Sequence, residues 1–309
     1  MELHEGVSPP HAKEIYMVQD KKKTILLYLG PMLIVLVGFL YLPIIINFAN
    51  SLYTWGALSK KREFIGLLNY ARLFSDEVFY IAIRNNLVFI IMSLVFQIGC
   101  SLMIAAVLES KFLRKFQAFF RTVYFIPSLL MVTVTGITFK MIYSPSIGLI
   151  NPMLKLIGIN TDRIDLLGNP SSAIFAVSAA SQWQYIGYTV ILFIVALQNI
   201  PEELYEAAEI DGSNALQTFF RITLPQMRDT ITINMIIIVT GAIRVFDEVY
   251  VMTSGGPGRA TETLATYLYR VGFRNDEMGY ASAIAFFVFA VTFILGLLQM
   301  KGYRMDDRN

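Results

Sequence analysis

The sequence predicts an all-α integral membrane protein with six transmembrane helices, and three observations lead there. The 309-residue chain is 55% hydrophobic and only 16% charged, with a mean hydropathy of +0.56. Soluble domains carry about 25% charged residues. Six stretches approach the roughly 20 apolar residues that cross a bilayer. The connections between them are too short to hold a separate soluble domain, so the chain reads as a flexible tail (1–23) and one membrane domain (24–309).

The tail, MELHEGVSPPHAKEIYMVQDKKK, is polar. Thr24–Ser59 then runs for 36 residues without a charge. That is too long for a signal-peptide core and lacks a small-residue cleavage site at the usual distance, so it reads as a first span that stays attached. Asn85–Leu108, Thr122–Phe139, Leu166–Pro201 and Met278–Met300 are the next charge-free runs. Thr230–Met252 is a further span, interrupted by Arg244, Asp247 and Glu248. An even number of spans puts both termini on one side. With both inside, 13 Lys and Arg lie on inner segments against 10 on outer ones. The Lys21–Lys23 run abuts the first span, and the positive-inside rule favours cytoplasmic termini.

Composition also excludes several chemistries. Cys100 is the single cysteine, so no intrachain disulfide or thiolate metal site is available. His4 and His11 both lie in the tail, and no Gly-Lys pair exists from which a phosphate-binding P-loop could be built. The net charge of +2 comes with no basic cluster that would suit nucleic acid. The chain is expected to bind no cofactor and no metal.

Between the fourth and fifth spans stands EAAEIDGSNALQTFFRITLP, Glu206–Pro225, within a polar connection over 201–229. Four glutamates and one aspartate fall in Pro201–Asp211. An acid at the bilayer centre costs roughly 2.5–3.5 kcal/mol, so this segment must face water. Asn199 precedes Pro201-Glu202-Glu203, a capped helix start with acids in its positive first turn. Asp211-Gly212 is a natural turn. Ser213 or Asn214 caps a second helix, Ala215–Thr223, with Leu216, Phe219 and Phe220 on one side and Pro225 ending it. Taken alone, this is either an ordinary helical linker or a rigid knuckle for a partner.

Glu206-Ala207-Ala208, three residues, Gly212, nine residues, then Ile222-x-Leu224-Pro225 resembles the EAA loop of permease subunits in binding-protein-dependent ABC importers, at all seven defining positions. The resemblance implies the type I importer permease fold with both termini cytoplasmic. It implies that Glu206, Ala207, Ala208, Asp211, Gly212, Ile222, Leu224 and Pro225 dock into a separate ATPase dimer, which holds the ATP and Mg. It also implies a second homologous permease, an extracytoplasmic solute-binding protein and a home in the cytoplasmic membrane. FDEVYVMTSGGPGRATETLATYLYRVGF (Phe246–Phe273), RTVYFIPSLL and LQNIPEELYEAAEIDG are similar to the sugar-importing branch, the maltose- and glycerophosphate-type group. The likeness covers roughly residues 24–304.

Within Phe246–Phe273, the Ser254–Gly258 stretch must turn. Leu264, Tyr267, Leu268 and Val271 share a helical face, which either lies at the outer surface for a binding protein or packs inward. The fourth span carries a polar and aromatic stripe, Ser178, Ser181, Tyr185 and Tyr188, flanked by Gln182 and Gln184. It lies near the bilayer midplane, where transporters hold substrate. Such residues suit sugar hydroxyls and C–H faces, and they equally suit helix–helix adhesion. The resemblance implies sugar contacts at Ser128 and Val132, at Ser181, Trp183, Gln184, Tyr185 and Tyr188, and at Ile238, Ala242 and Val245. Val132, Ile238, Ala242 and Val245 are apolar where the maltose-type pattern is polar, which weakens the expectation of maltose itself.

Arg244, Asp247 and Glu248 are intramembrane charges and hence candidate functional residues. At i,i+3 and i,i+4 they could neutralise one another on a continuous helix, or form a polar gate. The function expected is ATP-driven import of a sugar, an oligosaccharide or glycoside, with no covalent chemistry on this chain. The competing readings are an ion-coupled carrier, a membrane transferase, and an ABC permease for a non-sugar solute.

Overall fold

The computed structural model describes residues 24–59, 61–110, 114–158 and 164–306. The tail 1–23 lies outside them, as do Lys60, Lys111, Arg163 and Arg308 of the charge count. Apart from one two-residue hairpin, β1 (Tyr53–Thr54) with β2 (Glu63–Phe64), the regular structure among the described residues is helical. Besides two short helices, Leu68–Leu73 and Ile150–Leu156, the helices are α1 (Thr24–Ser51), α2 (Glu77–Glu109), α3 (Gln117–Leu129), α4 (Val132–Ile142) and α5 (Ala173–Gln198). After these come α6 (Glu202–Ile210) and α7, which begins as Ala215–Thr218 and continues through Phe219–Thr223 to Leu224–Gln226. The chain closes with α8 (Arg228–Ile243), α9 (Asp247–Met252), α10 (Leu264–Tyr269) and α11 (Met278–Asp306).

Among the described residues, α1, α2, α5 and α11 are each long and apolar enough to cross a membrane, and α3 with α4 is long and apolar enough only as a pair, bent by 97° at the break between them. Several expected bounds shift. The second span begins earlier, at Glu77 and not Asn85, because Asp76 caps it by accepting the Val78 amide at 2.9 Å. The third is not one straight Thr122–Phe139 helix, since Leu130 and Met131 turn extended at the bend. The fifth stops at Ile243 and resumes at Asp247, leaving a 16-residue helix. That is short of the roughly 20 residues of a full span.

The middle of the bundle is α5, which buries Val177, Val190, Phe193 and Ile194 completely. Its first half packs with Phe89 of α2 and with Ala242, Val245 and Val249. Its second half packs against Leu102, Ala105 and Met227. A third cluster joins Leu73 and Phe79 to α10 and α11. Gly187 sets the approach of α3, for a Cβ there would lie 1.7 Å from the Tyr124 carbonyl oxygen. By contrast α1 buries only Ser51 among its residues. Its last turns touch α11 through Phe48 and Phe286, 4.7 Å between centroids, and through Asn47 donating to the Ser282 carbonyl. A helix so largely apolar with so little cover belongs in lipid or against another membrane chain.

Leu264, Tyr267 and Val271 of the predicted amphipathic face are buried against α11 and the start of α2. This overturns the outward docking face for those residues: the apolar stripe is packing. The segment before α10 is held from beneath. Glu262 is fully buried, paired with Arg270 at 2.5 Å, and accepts from the Thr266 hydroxyl at 2.6 Å. Gly255, at φ +85°, leaves the room that the Glu262 carboxylate fills.

Candidate functional site

Two helix interruptions meet the middle of α5, and side chains of the bundle satisfy both. At the α3–α4 bend the free carbonyl of Leu130 accepts from Gln184 Nε2 at 2.8 Å. At the α8–α9 break the carbonyls of Ala242 and Ile243 accept from Asn86 Nδ2 at 2.8 and 3.0 Å. Asn86 Oδ1 in turn accepts the Leu264 amide that opens α10, at 2.9 Å. Backbone left free inside a membrane must find such partners or line a cavity. Asn85 binds the Ala260 and Glu262 carbonyls next door.

Across the break, Ser181 Oγ donates to Glu248 Oε1 at 3.2 Å, joining α5 to α9. Asp247 precedes it, and Tyr185 lies within electrostatic range of both carboxylates. The expected neutralisation by Arg244 does not form, because the helix that would align the three charges stops at Ile243. Arg244 instead turns back, its Nε 3.4 Å from the Thr240 carbonyl.

The predicted stripe on α5 divides in two. Ser178 and Gln182 face α2, where Gln182 binds Ser93 and Ser178 through Nε2 and accepts from Gln97 at 2.7 Å. That side is adhesion. Ser181, Gln184 and Tyr185 turn to the two breaks, while Trp183 and Tyr188 are about half exposed, at 46% and 50%. The Trp183 ring meets Phe139 edge-on at 5.2 Å. Gln184 is 1% exposed and its Oε1 has no partner among the described residues. Ser128 bonds its own Phe125 carbonyl at 2.7 Å. Val132 and Ile238 are half-buried. Ala242 and Val245 lie in the apolar core beside Ala176 and Ala180, so in this conformation they pack and do not line an open surface.

The second candidate element is the α6–α7 knuckle. Pro201, not Asn199, occupies the position before α6, and Asn199 closes α5. The α6 helix ends where Ser213 N–H reaches the Ala208 carbonyl at 2.9 Å, with Gly212 at φ +72°, a conformation that favours glycine. Asn214 and Gln217 cap one another's backbone to start α7. Pro225 does not end α7 but sits inside its last turn, and the stop comes at Met227. The aromatic side splits as well: Phe219 packs inward while Leu216 and Phe220 stay 70% and 59% exposed. Glu206, Ala207, Asp211, Gly212 and Pro225 are exposed, Ala208 is buried, and Ile222 and Leu224 are half-buried. Tyr205 and Thr223 hydroxyls meet at 3.2 Å and lock the two helices together.

Asn85, Asn86 and the breaks themselves escaped sequence reasoning. The signals were an Asn-Asn pair opening an apolar run and Pro127 inside another. Surface hollows lie elsewhere. One of about 600 Å³ follows α1 between Pro31 and Leu40, and one of about 350 Å³ is walled by Arg72, Asp76 and Arg259 at the other end of the bundle from α6.

The family described as "binding-protein-dependent transport system inner membrane component" matches residues 97–300. The chain is 45% identical over 288 residues to the probable ABC transporter permease protein YurN of Bacillus subtilis, covering 93% of this chain and 98% of that one. With the arabinooligosaccharides transport system permease protein AraP of Bacillus subtilis it shares 33% over 284 residues, 91% of this chain and 89% of the other. Among solved structures it is similar to a chain of a bacterial ABC transporter that imports the acidic polysaccharide alginate. That match has a TM-score of 0.80 at 26% identity, over 94% of this chain and 99% of that chain.

Proposed function

The chain belongs to the family of binding-protein-dependent transport system inner membrane components, as a multi-pass permease subunit of an ABC importer for sugars, and from that premise we propose that it moves an oligosaccharide or glycoside into the cell. It is a transport subunit and not an enzyme. Six spans with both termini cytoplasmic form one domain over 24–309. The short fifth span, Arg228–Ile243, is completed by the residues around its break.

What supports this reading is one chain holding both an exposed two-helix knuckle and a central helix, α5, faced by two interrupted spans. Glu206, Ala207, Asp211 and Gly212 give the knuckle an exposed acidic elbow for a separate ATPase dimer, which binds ATP and Mg. Ala208, Ile222 and Leu224 anchor that elbow to the bundle, and Pro225 closes it. Movement of the knuckle is transmitted through α5 and α8, which adjoin it, to Ser181, Gln184, Tyr185, Trp183 and Tyr188. Around them Ser128, Val132, Ile238, Ala242 and Val245 form the walls that separate when the path opens, and Arg244, Asp247 and Glu248 form its polar gate. A second homologous permease supplies the other wall of the path, and a solute-binding protein delivers the sugar from outside.

Relatives named for arabinooligosaccharides and for alginate support a chain of sugar units as cargo. The test is to purify the complex with its binding protein and identify the sugar that protein carries. Import is then measured in proteoliposomes with arabinotriose, lactose, maltotriose and an alginate trisaccharide. A bound saccharide that is also imported supports the reading. A bound amino acid, peptide or inorganic ion contradicts it.

A further inference from the structure

We propose that the hollow of about 350 Å³ at the outer end of the bundle is a docking socket, in which Arg259 receives a carboxylate from the surface of the solute-binding protein. This rests on the reading above that such a protein delivers the cargo, and it holds whatever the cargo is.

The hollow lies across the bundle from the knuckle. Asp76, in its wall, caps the start of α2, and α2 runs for 33 residues to Glu109, about 50 Å away. There Glu109 accepts from Gln198 Nε2 at 3.3 Å, at the end of α5 that leads into α6. The walls come from helix ends and turns. Arg72 lies in the last turn of the short helix Leu68–Leu73, Arg259 in the turn before α10, and Asn275 just before α11. Lipid headgroups stand beside spans, whereas a hollow made of their ends is reached by a soluble protein on that side.

Most of the lining is already committed within the chain. Asp76 accepts the Tyr267 and Tyr280 hydroxyls and the Val78 amide. Arg72 pairs with Glu277 at 2.7 Å and lies 4.1 Å over the Tyr280 ring. Arg270 pairs with the buried Glu262 and donates to the Ser254 carbonyl at 2.8 Å. These pairs hold the walls in place, and Arg259 is the exposed cation of the same hollow.

The backbone also singles Arg259 out. It stands at φ +71°, a left-handed conformation that favours glycine and that a larger side chain adopts at a cost. The turn around it is pinned on both sides. The Ala260 N–H reaches the Pro257 carbonyl at 2.9 Å, and Asn85 holds the Ala260 carbonyl at 2.8 Å. The Thr261 hydroxyl donates to the Gly256 carbonyl at 2.6 Å, and the Glu262 N–H reaches the Arg259 carbonyl at 3.1 Å. Strain kept in place by its surroundings is a mark of functional positions. A guanidinium on a fixed turn takes a carboxylate through two parallel hydrogen bonds with little further ordering. Charge complementarity of this kind guides and selects protein partners.

The test uses the complete complex of two permeases and ATPase in nanodiscs, titrated with the labelled binding protein that co-purifies with it. Arg259→Gly should weaken docking about tenfold at low ionic strength, and Arg259→Glu by more. The penalty should shrink as salt is added. Because Arg259→Gly relieves the left-handed backbone, its complex should melt no lower than wild type and keep both permeases. Binding protein whose surface carboxylates have been amidated should dock to wild type and to Arg259→Gly alike. Equal docking of the unmodified binding protein to wild type and both variants would overturn the assignment. So would a lower melting temperature or loss of the second permease in Arg259→Gly, which would make the residue structural or a contact between permeases. A penalty present in anionic-lipid nanodiscs and absent from zwitterionic ones would assign it to lipid headgroups and overturn it too. Failure of the binding protein to dock to wild type sinks the functional reading together with this inference, whereas equal docking sinks only the role of Arg259.

Discussion

Gln184 donates its Nε2 to the main-chain carbonyl of Leu130 at 2.8 Å, and so ties the central helix to the bend of the third span. The bond satisfies a carbonyl that the 97° turn removes from its helix. Hydrogen bonds inside membrane bundles average about 0.6 kcal/mol, but an orphaned buried carbonyl costs about 1–3 kcal/mol. Gln184→Leu is therefore expected to destabilise the assembled complex by about 1 kcal/mol or more. Its thermal unfolding in detergent should fall, and import should fall with it. An unchanged melting temperature would mean that the bend is held by other contacts.

Asn86 serves three backbone groups at once, the carbonyls of Ala242 and Ile243 and the amide of Leu264. Asn86→Asp keeps the shape and the acceptor but removes both donations. Asn86→Ala removes all three bonds. Both variants should lose more stability than Gln184→Leu, with a larger loss for alanine than for a single orphaned group of about 1–3 kcal/mol. Limited proteolysis after residues 244–246 reads the break directly. Protection equal to wild type in both variants would count against Asn86 as its clamp.

Asp76 accepts the hydroxyls of Tyr267 and Tyr280, the latter at 2.6 Å, and the Val78 amide. Burial alone would raise its pKa, but those bonds, with another to the Phe79 amide, bring it below the usual carboxylate value. The folded pKa lies below the unfolded value of about 3.9. The stabilisation is therefore present above that pH and is lost as pH falls through the folded value. Tyr267 shifts the other way. Burial first, and then the bond to Asp76, raise its pKa above the ordinary tyrosine value. Its contribution is full below about pH 10 and declines as pH rises beyond it. Asp76→Asn should lower stability at neutral pH and remove this acid-sensitive part. A thermal-stability profile with the same acid limb in the variant would refute the assignment.

Gly212 sits at φ +72° with open space where a Cβ would go. Gly212→Ala therefore meets backbone strain of about 1–2 kcal/mol and no clash. The knuckle should still form but favour another elbow angle. The expected result is normal amounts of assembled complex, with less sugar imported per ATP hydrolysed. Wild-type coupling in this variant would show that the elbow angle is not used.

Much of the fold was legible because lipid imposes simple rules. Runs such as Met278–Met300 must be helices, and the acids of α6 must leave the bilayer. The knuckle was legible in more detail, down to the Gly212 turn and a cap at Ser213 or Asn214, of which the structure uses Asn214. The breaks were not, because helix interruption at Arg244–Phe246 depends on Asn86, 156 residues away from Ala242, satisfying the exposed carbonyls. Nothing in the local pattern reveals that partner. The same break dissolved the expected Arg244 pairing. The stripe on α5 was seen as one surface, but periodicity could not say that Gln182 serves adhesion while Gln184 serves the bend.

The most direct measurement sets ATP against ion gradients as the driving force. Proteoliposomes holding the complete complex, with the sugar-loaded binding protein outside, are supplied with ATP inside, or instead with an imposed proton or sodium gradient. The account predicts sugar accumulation with ATP alone, abolished when the ATPase is omitted. Accumulation driven by a gradient across vesicles lacking the ATPase would contradict it.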